Sequence, residues 1–222
     1  MFPSFLRSDS PEARPVTADL TALLGSRICH DLISPLGAIG NGVELLSMAP
    51  GGAGAELALI SQSVAHARAR LCFFRVAFGT ARRGHPVPLA EVRSILDDMT
   101  RDSRLRIEFH GAPDPARPDV KLCFLLLMCL ETALPYGGRI VVEQSGGGWQ
   151  LLAEATRTRI DAGLWARLAD RDASADLQPS QVQFALAAAE LAARGIVPSV
   201  APAEERIVIG FRTDGPNARA PE

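Results

Sequence analysis

Two long stretches of helical pattern, separated by a short turn, constrain the fold of this chain more than any other feature. The first runs from about residue 19 to residue 48 and the second from about residue 54 to residue 78, with Ala-Pro-Gly-Gly at 49–52 between them. In the second stretch, apolar residues alternate between spacings of three and four, which is typical of a coiled-coil or bundle seam. These residues are Leu57, Ile60, Val64, Ala67, Leu71, Phe74 and Phe78. The pattern predicts an antiparallel helical hairpin over residues 17–80.

The first helix also carries its apolar residues on one side. They are Leu24, Ile28, Leu32, Pro35, Leu36, Ile39, Val43 and Leu46. A hairpin with one wide apolar face cannot bury that face alone. Two hairpins related by two-fold symmetry would bury it in a four-helix bundle. The alternative is that the rest of the same chain covers the face, and we favour the homodimer.

The chain after the hairpin predicts a second domain, which we place at residues 85–213. Residues 79–88 hold two glycines and two prolines, a composition typical of a linker, and a loop is expected at 114–118. The predicted helices lie near 89–100, 119–134, 161–170 and 179–194, and the predicted strands near 105–109, 139–144, 149–155 and 206–212. Helices and strands without strict alternation indicate an α+β fold. We expect residues 1–16 to be a flexible arm and residues 214–222 a tail.

Composition narrows the function classes. The 23 basic and 25 acidic residues give a net charge of -2, which disfavours a nucleic-acid binder. The longest apolar run has nine residues, at 122–130, and is too short to cross a bilayer. The N-terminal segment lacks the apolar stretch of a secretory leader, so we expect a cytoplasmic protein that does not enter membranes. Lys121, the only lysine, follows Val120, so the chain has no G-x-x-x-x-G-K phosphate loop.

His30 lies on the side of the first helix opposite its apolar residues. A histidine of the core would lie on the apolar side instead. The neighbours of His30 on its own side are small or polar, namely Arg27, Ser34, Gly37, Asn41 and Glu44. Helical periodicity therefore predicts an imidazole that faces the solvent.

The residues after His30 resemble the phosphoacceptor segment of sensor histidine kinases. In those proteins a histidine is followed by Glu or Asp and then by a proline, and here Asp31 and Pro35 follow His30. A proline inside a helix removes a backbone donor and opens the preceding turn. An ordinary surface histidine is the alternative, but the paired helix and the mixed domain after it favour a phosphoacceptor.

The second domain resembles the ATP-binding domain of those kinases without its nucleotide-binding motifs. Where the kinase family has Asn-x-x-x-Asn-Ala, this chain has Met128 and Thr132 before Ala133. No D-x-G-x-G occurs in the sequence, and residues 177–183, at the place of the glycine-rich lid, contain no glycine pair. We therefore expect a degenerate domain that neither uses nor hydrolyses ATP directly.

Together these features resemble the ChpT-type histidine phosphotransferases of alphaproteobacteria. The matching motifs are Arg27-x-Cys-His-Asp-x-Ile-Ser-Pro35 and Arg75-Val-Ala-Phe-Gly79, with weaker support from residues 41–46. The resemblance implies an N-terminal hairpin that dimerises into a four-helix bundle, followed by a degenerate histidine-kinase ATPase-like α/β sandwich. It also implies a phosphorelay, in which phosphate passes from the receiver domain of a hybrid kinase to His30 and then to the aspartate of a response regulator.

We assign the chemistry to three residues of the first helix. His30 is expected to attack phosphate through its outer nitrogen, Nε2, since a neutral imidazole is a competent nucleophile near neutral pH. Asp31 is expected to hold the inner nitrogen, and Ser34 to position a water molecule or contact the phosphoryl oxygens. Arg27 and Arg75 are candidates to contact the partner or the phosphate.

The partner is expected to dock along the same side of the helix, at Ile33, Gly37 and Asn41. We predict no metal site and no bound cofactor in this chain, and we expect Mg²⁺ to come with the acidic pocket of the partner's receiver domain. Two alternatives remain at this point: a divergent sensor histidine kinase, and a receiver phosphatase or non-catalytic dimeric adaptor.

Overall fold

The computed structural model describes residues 16–48, 54–81, 85–169 and 177–213. Its first part is a pair of long antiparallel helices, α1 (Val16–Met48) and α2 (Gly54–Ala77). Pro35 lies inside α1, and the helix continues through it. The predicted hairpin is therefore confirmed. Val16 belongs to α1 rather than to the predicted flexible arm, and residues 1–15 and 214–222, predicted as arm and tail, lie outside the described residues.

The two helices approach each other closely where α1 has a glycine. A Cβ atom added to Gly42 would lie 2.6 Å from Cγ1 of Ile60 on α2, so only a residue without a side chain fits there without a shift. Because the helices are antiparallel, this contact sets their register. It brings Asp31 on α1 level with the segment around Leu71 on α2.

The second domain contains four more α-helices and five strands in the described part of the chain. In chain order these are α3 (Leu89–Thr100), β1 (Leu105–His110), α4 (Arg117–Ala133), β2 (Gly138–Ser145), β3 (Gly148–Glu154), α5 (Ala162–Ala166), a 3-10 turn (Pro179–Gln181), α6 (Val182–Ala193), β4 (Ser199–Pro202) and β5 (Arg206–Arg212). The sheet order is β1-β2-β3-β5-β4. Only β1 and β2 pair in parallel, and the other neighbours are antiparallel. The α+β prediction is confirmed.

Two local predictions for this domain were incomplete. Strand β4 was not predicted, because it is short, lies at the sheet edge and pairs only with β5. Helix α4 begins at Arg117 rather than after a loop at 114–118. Pro118 lies in its first turn, where a residue without an N–H donor is well tolerated. By contrast, the predicted β2–β3 hairpin forms as expected, with Gly146 and Gly147 at φ angles of 54° and 74°.

The core of the second domain extends to the base of the hairpin. Every residue of the apolar run 122–130 on α4 is buried. The ring of Phe73 on α2 stacks on that of Phe124, with their centroids 4.7 Å apart. A polar contact lies farther up α2, where Gln62 and His66 bond the Asp102 carboxylate at 3.1 and 3.0 Å. The second domain thus contacts α2 from Gln62 to its C-terminal end and leaves one side of the hairpin exposed.

The exposed side of the hairpin carries an apolar surface, which we call the hairpin face. Its residues are between 48% and 59% exposed in the single chain. They are Leu36, Val43, Leu57, Val64 and Leu71. Within the described residues, the second domain does not cover this surface, which was the alternative to dimerisation.

Candidate functional site

The imidazole of His30 faces the solvent, as helical periodicity predicted. Its side chain is 85% exposed, and Nδ1 lies 3.3 Å from Oδ1 of Asp31. Among the described residues, Nε2 has no hydrogen-bond partner. A hydrogen on Nδ1 donated to Asp31 would leave the lone pair of Nε2 available to an electrophile.

Asp31 is far less accessible than its neighbour. The side chain of Asp31 is only 8% exposed, and its Oδ2 atom receives a hydrogen bond from Nε of Arg27 at 3.0 Å. Nε of Arg70 lies 3.9 Å from the same oxygen. A buried carboxylate requires such charged partners, because leaving water costs it several kcal/mol. The two oxygens therefore have different partners, with the arginines at Oδ2 and the imidazole at Oδ1.

Both arginines also contact the second domain. Nη1 of Arg27 donates a hydrogen bond of 2.9 Å to the carbonyl oxygen of Ser180, in the 3-10 turn before α6. Nη1 of Arg70 lies 3.7 Å from Oε2 of Glu131 on α4. The pair Asp31 and His30 is thus connected to the second domain through two guanidinium groups.

Arg70 was missed in the sequence analysis. It lies on the other helix of the hairpin, and no local motif marks it. The only available signal was the antiparallel register, which brings α2 residues near 70 level with Asp31. Arg27 was predicted to contact a partner or the phosphate, but its guanidinium is mostly buried and bonded to Asp31 and Ser180.

The remaining predicted residues fall into two groups. Ser34, Ile33, Gly37 and Asn41 are exposed on α1, and the side chain of Ile33 is 67% exposed. At Gly37, an added Cβ would meet no atom within 4 Å, so the surface beside the imidazole is open. Arg75 is separate from these residues, because its Nη2 pairs with Oε1 of Glu91 on α3 at 3.3 Å.

In the described part of the chain, no group of three or more His, Cys, Asp or Glu residues is arranged to hold a metal ion. None of the helices described is long and apolar enough to span a membrane.

Comparisons with known proteins agree with this architecture. Residues 89–206 match the family described as histidine phosphotransferase C-terminal domain. The protein phosphotransferase ChpT of Brucella abortus (strain 2308) is 41% identical over 138 residues, which are 60% of this chain and 65% of that protein. The match thus spans slightly less than two thirds of the length of that relative.

The similarity to a solved phosphotransferase structure also includes the hairpin. The structure of a bacterial phosphotransferase superposes with a TM-score of 0.77 at 29% identity, covering 91% of this chain and 100% of that one. The histidine kinase AdeS of Acinetobacter baumannii has a TM-score of 0.41 at 12% identity, covering 84% of this chain and 98% of that one. The family match spans more than half of the 222 residues, and it agrees with the ChpT relative and with the phosphotransferase structure. The family predicted from the sequence is therefore confirmed, and this chain belongs to the histidine phosphotransferases of the ChpT type.

Proposed function

We propose that this chain is the phosphohistidine carrier of a two-component phosphorelay. His30 takes a phosphoryl group from the receiver aspartate of a hybrid histidine kinase and passes it to the receiver aspartate of a response regulator. The observation that carries the proposal is the exposed imidazole, which is bonded to a protein group at Nδ1 and faces solvent at Nε2. Such a nucleophile is open to a macromolecular donor and is already oriented.

The transfer is a displacement at phosphorus. The Nε2–P bond forms while the O–P bond of the partner's acyl phosphate breaks, and the partner's aspartate leaves as a carboxylate. Nδ1 of His30 keeps its proton, and the adjacent Asp31 carboxylate balances the positive charge of the phosphorylated ring. Positioning and charge neutralisation account for most of the catalysis in such transfers. The reverse sequence delivers the group to the next receiver.

The second domain is proposed to support the hairpin without using ATP. At the positions of the asparagine motif, Met128 is buried, and the hydroxyl of Thr132 donates to the carbonyl oxygen of Cys129 at 2.6 Å. Neither side chain has the amide oxygen by which the asparagine of the kinase motif binds the nucleotide-bound metal. Mg²⁺ is accordingly assigned to the acidic pocket of the partner's receiver domain, beside the phosphorylated aspartate.

The open side of α1 is the proposed receiver-docking strip, formed by His30, Ile33, Gly37, Asn41 and Leu45. Its support is the exposure of apolar Ile33 and Leu45 around the imidazole and the absence of a side chain at Gly37. An incoming receiver can therefore bring its aspartate close to Nε2. Ser34 lies one turn beyond His30, where its hydroxyl would reach a phosphoryl oxygen or a water molecule.

The chain is proposed to act as a cytoplasmic homodimer. Its support is the hairpin face, which lies on the side of α1 away from His30 and presents apolar residues at heptad spacing. Two hairpin faces packed together would form the four-helix bundle. The two imidazoles would then remain accessible on the outside of that bundle.

Phosphotransfer from a receiver tests this function. Receiver domains of hybrid kinases from the source genome are phosphorylated with labelled acetyl phosphate, freed of the reagent and mixed with this protein. We expect label on this chain that survives alkali and is lost in acid, and that is absent in His30→Gln but present in the control His66→Gln. Label that leaves the receiver only as free phosphate, or a His30→Gln protein that is still labelled, would contradict the proposal.

A further inference from the structure

We infer that Arg70 is a positioning residue for phosphotransfer, acting on His30 through the Asp31 carboxylate. The inference rests on the proposed function of His30. It assigns a task to a helix that carries no reacting group. It also explains why a charged side chain of α2 points toward the interior of the hairpin near the phosphoacceptor.

The first argument is the distribution of partners around Asp31. Oδ2 has Nε of Arg27 at 3.0 Å and Nε of Arg70 at 3.9 Å, whereas Oδ1 has Nδ1 of His30 at 3.3 Å. Two cations beside one oxygen favour the orientation of the carboxylate in which its other oxygen meets the imidazole. Without Arg70, only the hydrogen bond from Arg27 would favour that orientation.

The second argument is that the guanidinium of Arg70 lies among groups that attract a cation. Its guanidinium lies 5.9 Å from the ring centroid of Phe74, within the range of a cation–π contact, and Phe74 is buried. Nη1 of Arg70 lies 3.7 Å from Oε2 of Glu131. The two carboxylates and the ring hold the guanidinium between them by charge, at distances beyond a hydrogen bond. Arg70 therefore links Glu131 on α4 to Asp31 through one cation shared by two carboxylates.

The third argument is chemical. Attack through Nε2 requires the neutral tautomer whose hydrogen is on Nδ1, and a carboxylate bonded to Nδ1 selects that tautomer and the ring orientation. A loosened Asp31 would leave His30 exposed and intact but less often in the reactive form. Loosening Asp31 would therefore lower the transfer rate and the population with hydrogen on Nδ1, and it would leave receiver binding unchanged.

The test compares Arg70→Gln with Arg70→Lys and with a matched control, Arg101→Gln. Arg101 pairs with Asp98 at the end of α3 and does not touch Asp31. Two quantities are measured for each folded variant: the rate of phosphotransfer from a saturating phosphorylated receiver, and the His30 tautomer from imidazole ¹⁵N chemical shifts at about pH 9, above the ordinary histidine pKa of about 6.5.

We expect Arg70→Gln to slow transfer about tenfold and to lower the population with hydrogen on Nδ1, with part of both restored in Arg70→Lys. Arg101→Gln should match the wild type. In an Asp31→Asn background, Arg70→Gln should cause no further loss, because residues that act through one group are not additive.

Two results would overturn the inference. One is an Arg70→Gln protein that matches Arg101→Gln in both rate and tautomer population. The other is an Arg70→Gln effect of equal size in the wild-type and Asp31→Asn backgrounds. The tautomer measurement needs no partner protein, so it tests Arg70 even if His30→Gln were to disprove the proposed relay.

Discussion

The hairpin and the second domain use their apolar residues in opposite ways. In the second domain, the run 122–130 on α4 is no more than 2% exposed at any position. On the hairpin, the five residues of the hairpin face are about half exposed in the single chain. The second domain thus buries its apolar residues, in part against the base of α2, whereas the hairpin leaves its own apolar face half exposed. The exposed imidazole of His30 lies on the hairpin, where under the proposed function a partner protein would reach it.

The connection between these regions explains how an exposed imidazole can be well oriented. The ring of His30 lies in solvent, but the groups that hold it lead inward through Asp31 to Arg27 and Arg70. Those arginines end on Ser180 and Glu131 of the second domain. Under the proposed function, a domain without recognisable nucleotide motifs would still affect the chemistry, because it contacts the two arginines beside Asp31.

The largest expected effect is the difference in unfolding free energy lost when an apolar side chain is truncated in each region. Phe124→Ala removes a fully buried ring that stacks on Phe73, and should lower the free energy of unfolding by about 3–5 kcal/mol. Val64→Ala on the hairpin face should cost less than about 1 kcal/mol under conditions where the chain is monomeric. Denaturant unfolding followed by circular dichroism measures both. Equal losses of unfolding free energy at the two positions would show that the difference in burial does not determine stability.

A charged side chain placed on the hairpin face should weaken dimerisation. Val64→Glu would bury an unpaired carboxylate in the proposed bundle, and should weaken dimerisation about 100-fold in sedimentation velocity experiments. Leu45→Glu is the matched control, since Leu45 is 51% and Val64 48% exposed, but Leu45 lies on the receiver-docking strip. That variant should remain dimeric and lose affinity for the receiver. A Val64→Glu protein that dimerises as well as the wild type would place the interface elsewhere.

Two glycines of α1 should respond to alanine substitution with opposite changes in stability, because only one of them lies against α2. Gly42→Ala must displace Ile60, because the new Cβ would lie 2.6 Å from its Cγ1, and should cost about 1–2 kcal/mol. Gly40→Ala meets no atom within 4 Å and should stabilise the helix by about 0.5–1 kcal/mol. Thermal unfolding distinguishes the two variants. Stabilisation by both would mean that the helices are farther apart at Gly42.

The smallest effect concerns the polar contact between hairpin and second domain. A hydrogen bond from Gln62, and to a smaller extent one from His66, lowers the pKa of Asp102 below its ordinary value of 3.8. A lowered pKa stabilises the fold above pH 3.8, and this contribution is lost as the pH falls through the lowered pKa. Asp102→Asn should therefore slightly reduce stability near neutral pH and flatten its loss in acid. If the free energy of unfolding fell equally with decreasing pH in the wild type and in Asp102→Asn, the contribution of the lowered Asp102 pKa would be contradicted.

The sequence predicted the features that depend on local periodicity. Helical spacing places His30 opposite the apolar residues, and the turn at 49–52 defines the hairpin, so both follow from residues close in the chain. Arg70 and Ser180 lie far beyond Asp31 in the chain, and only folding brings them together. Arg27 was placed on the correct side of the helix, but its bonds to Asp31 and Ser180 depend on the docked second domain. Strand β4 was missed because four residues at a sheet edge carry too little alternation to be recognised.

Locating the transferred group tests the central claim most directly. The protein is incubated with a phosphorylated receiver domain, kept alkaline, digested and analysed by tandem mass spectrometry. The account predicts one phosphoryl group per chain, on the peptide that contains His30 and on that side chain. A phosphoryl group on His66, His85 or His110, or a chain that remains unmodified while the receiver is still phosphorylated, would contradict it.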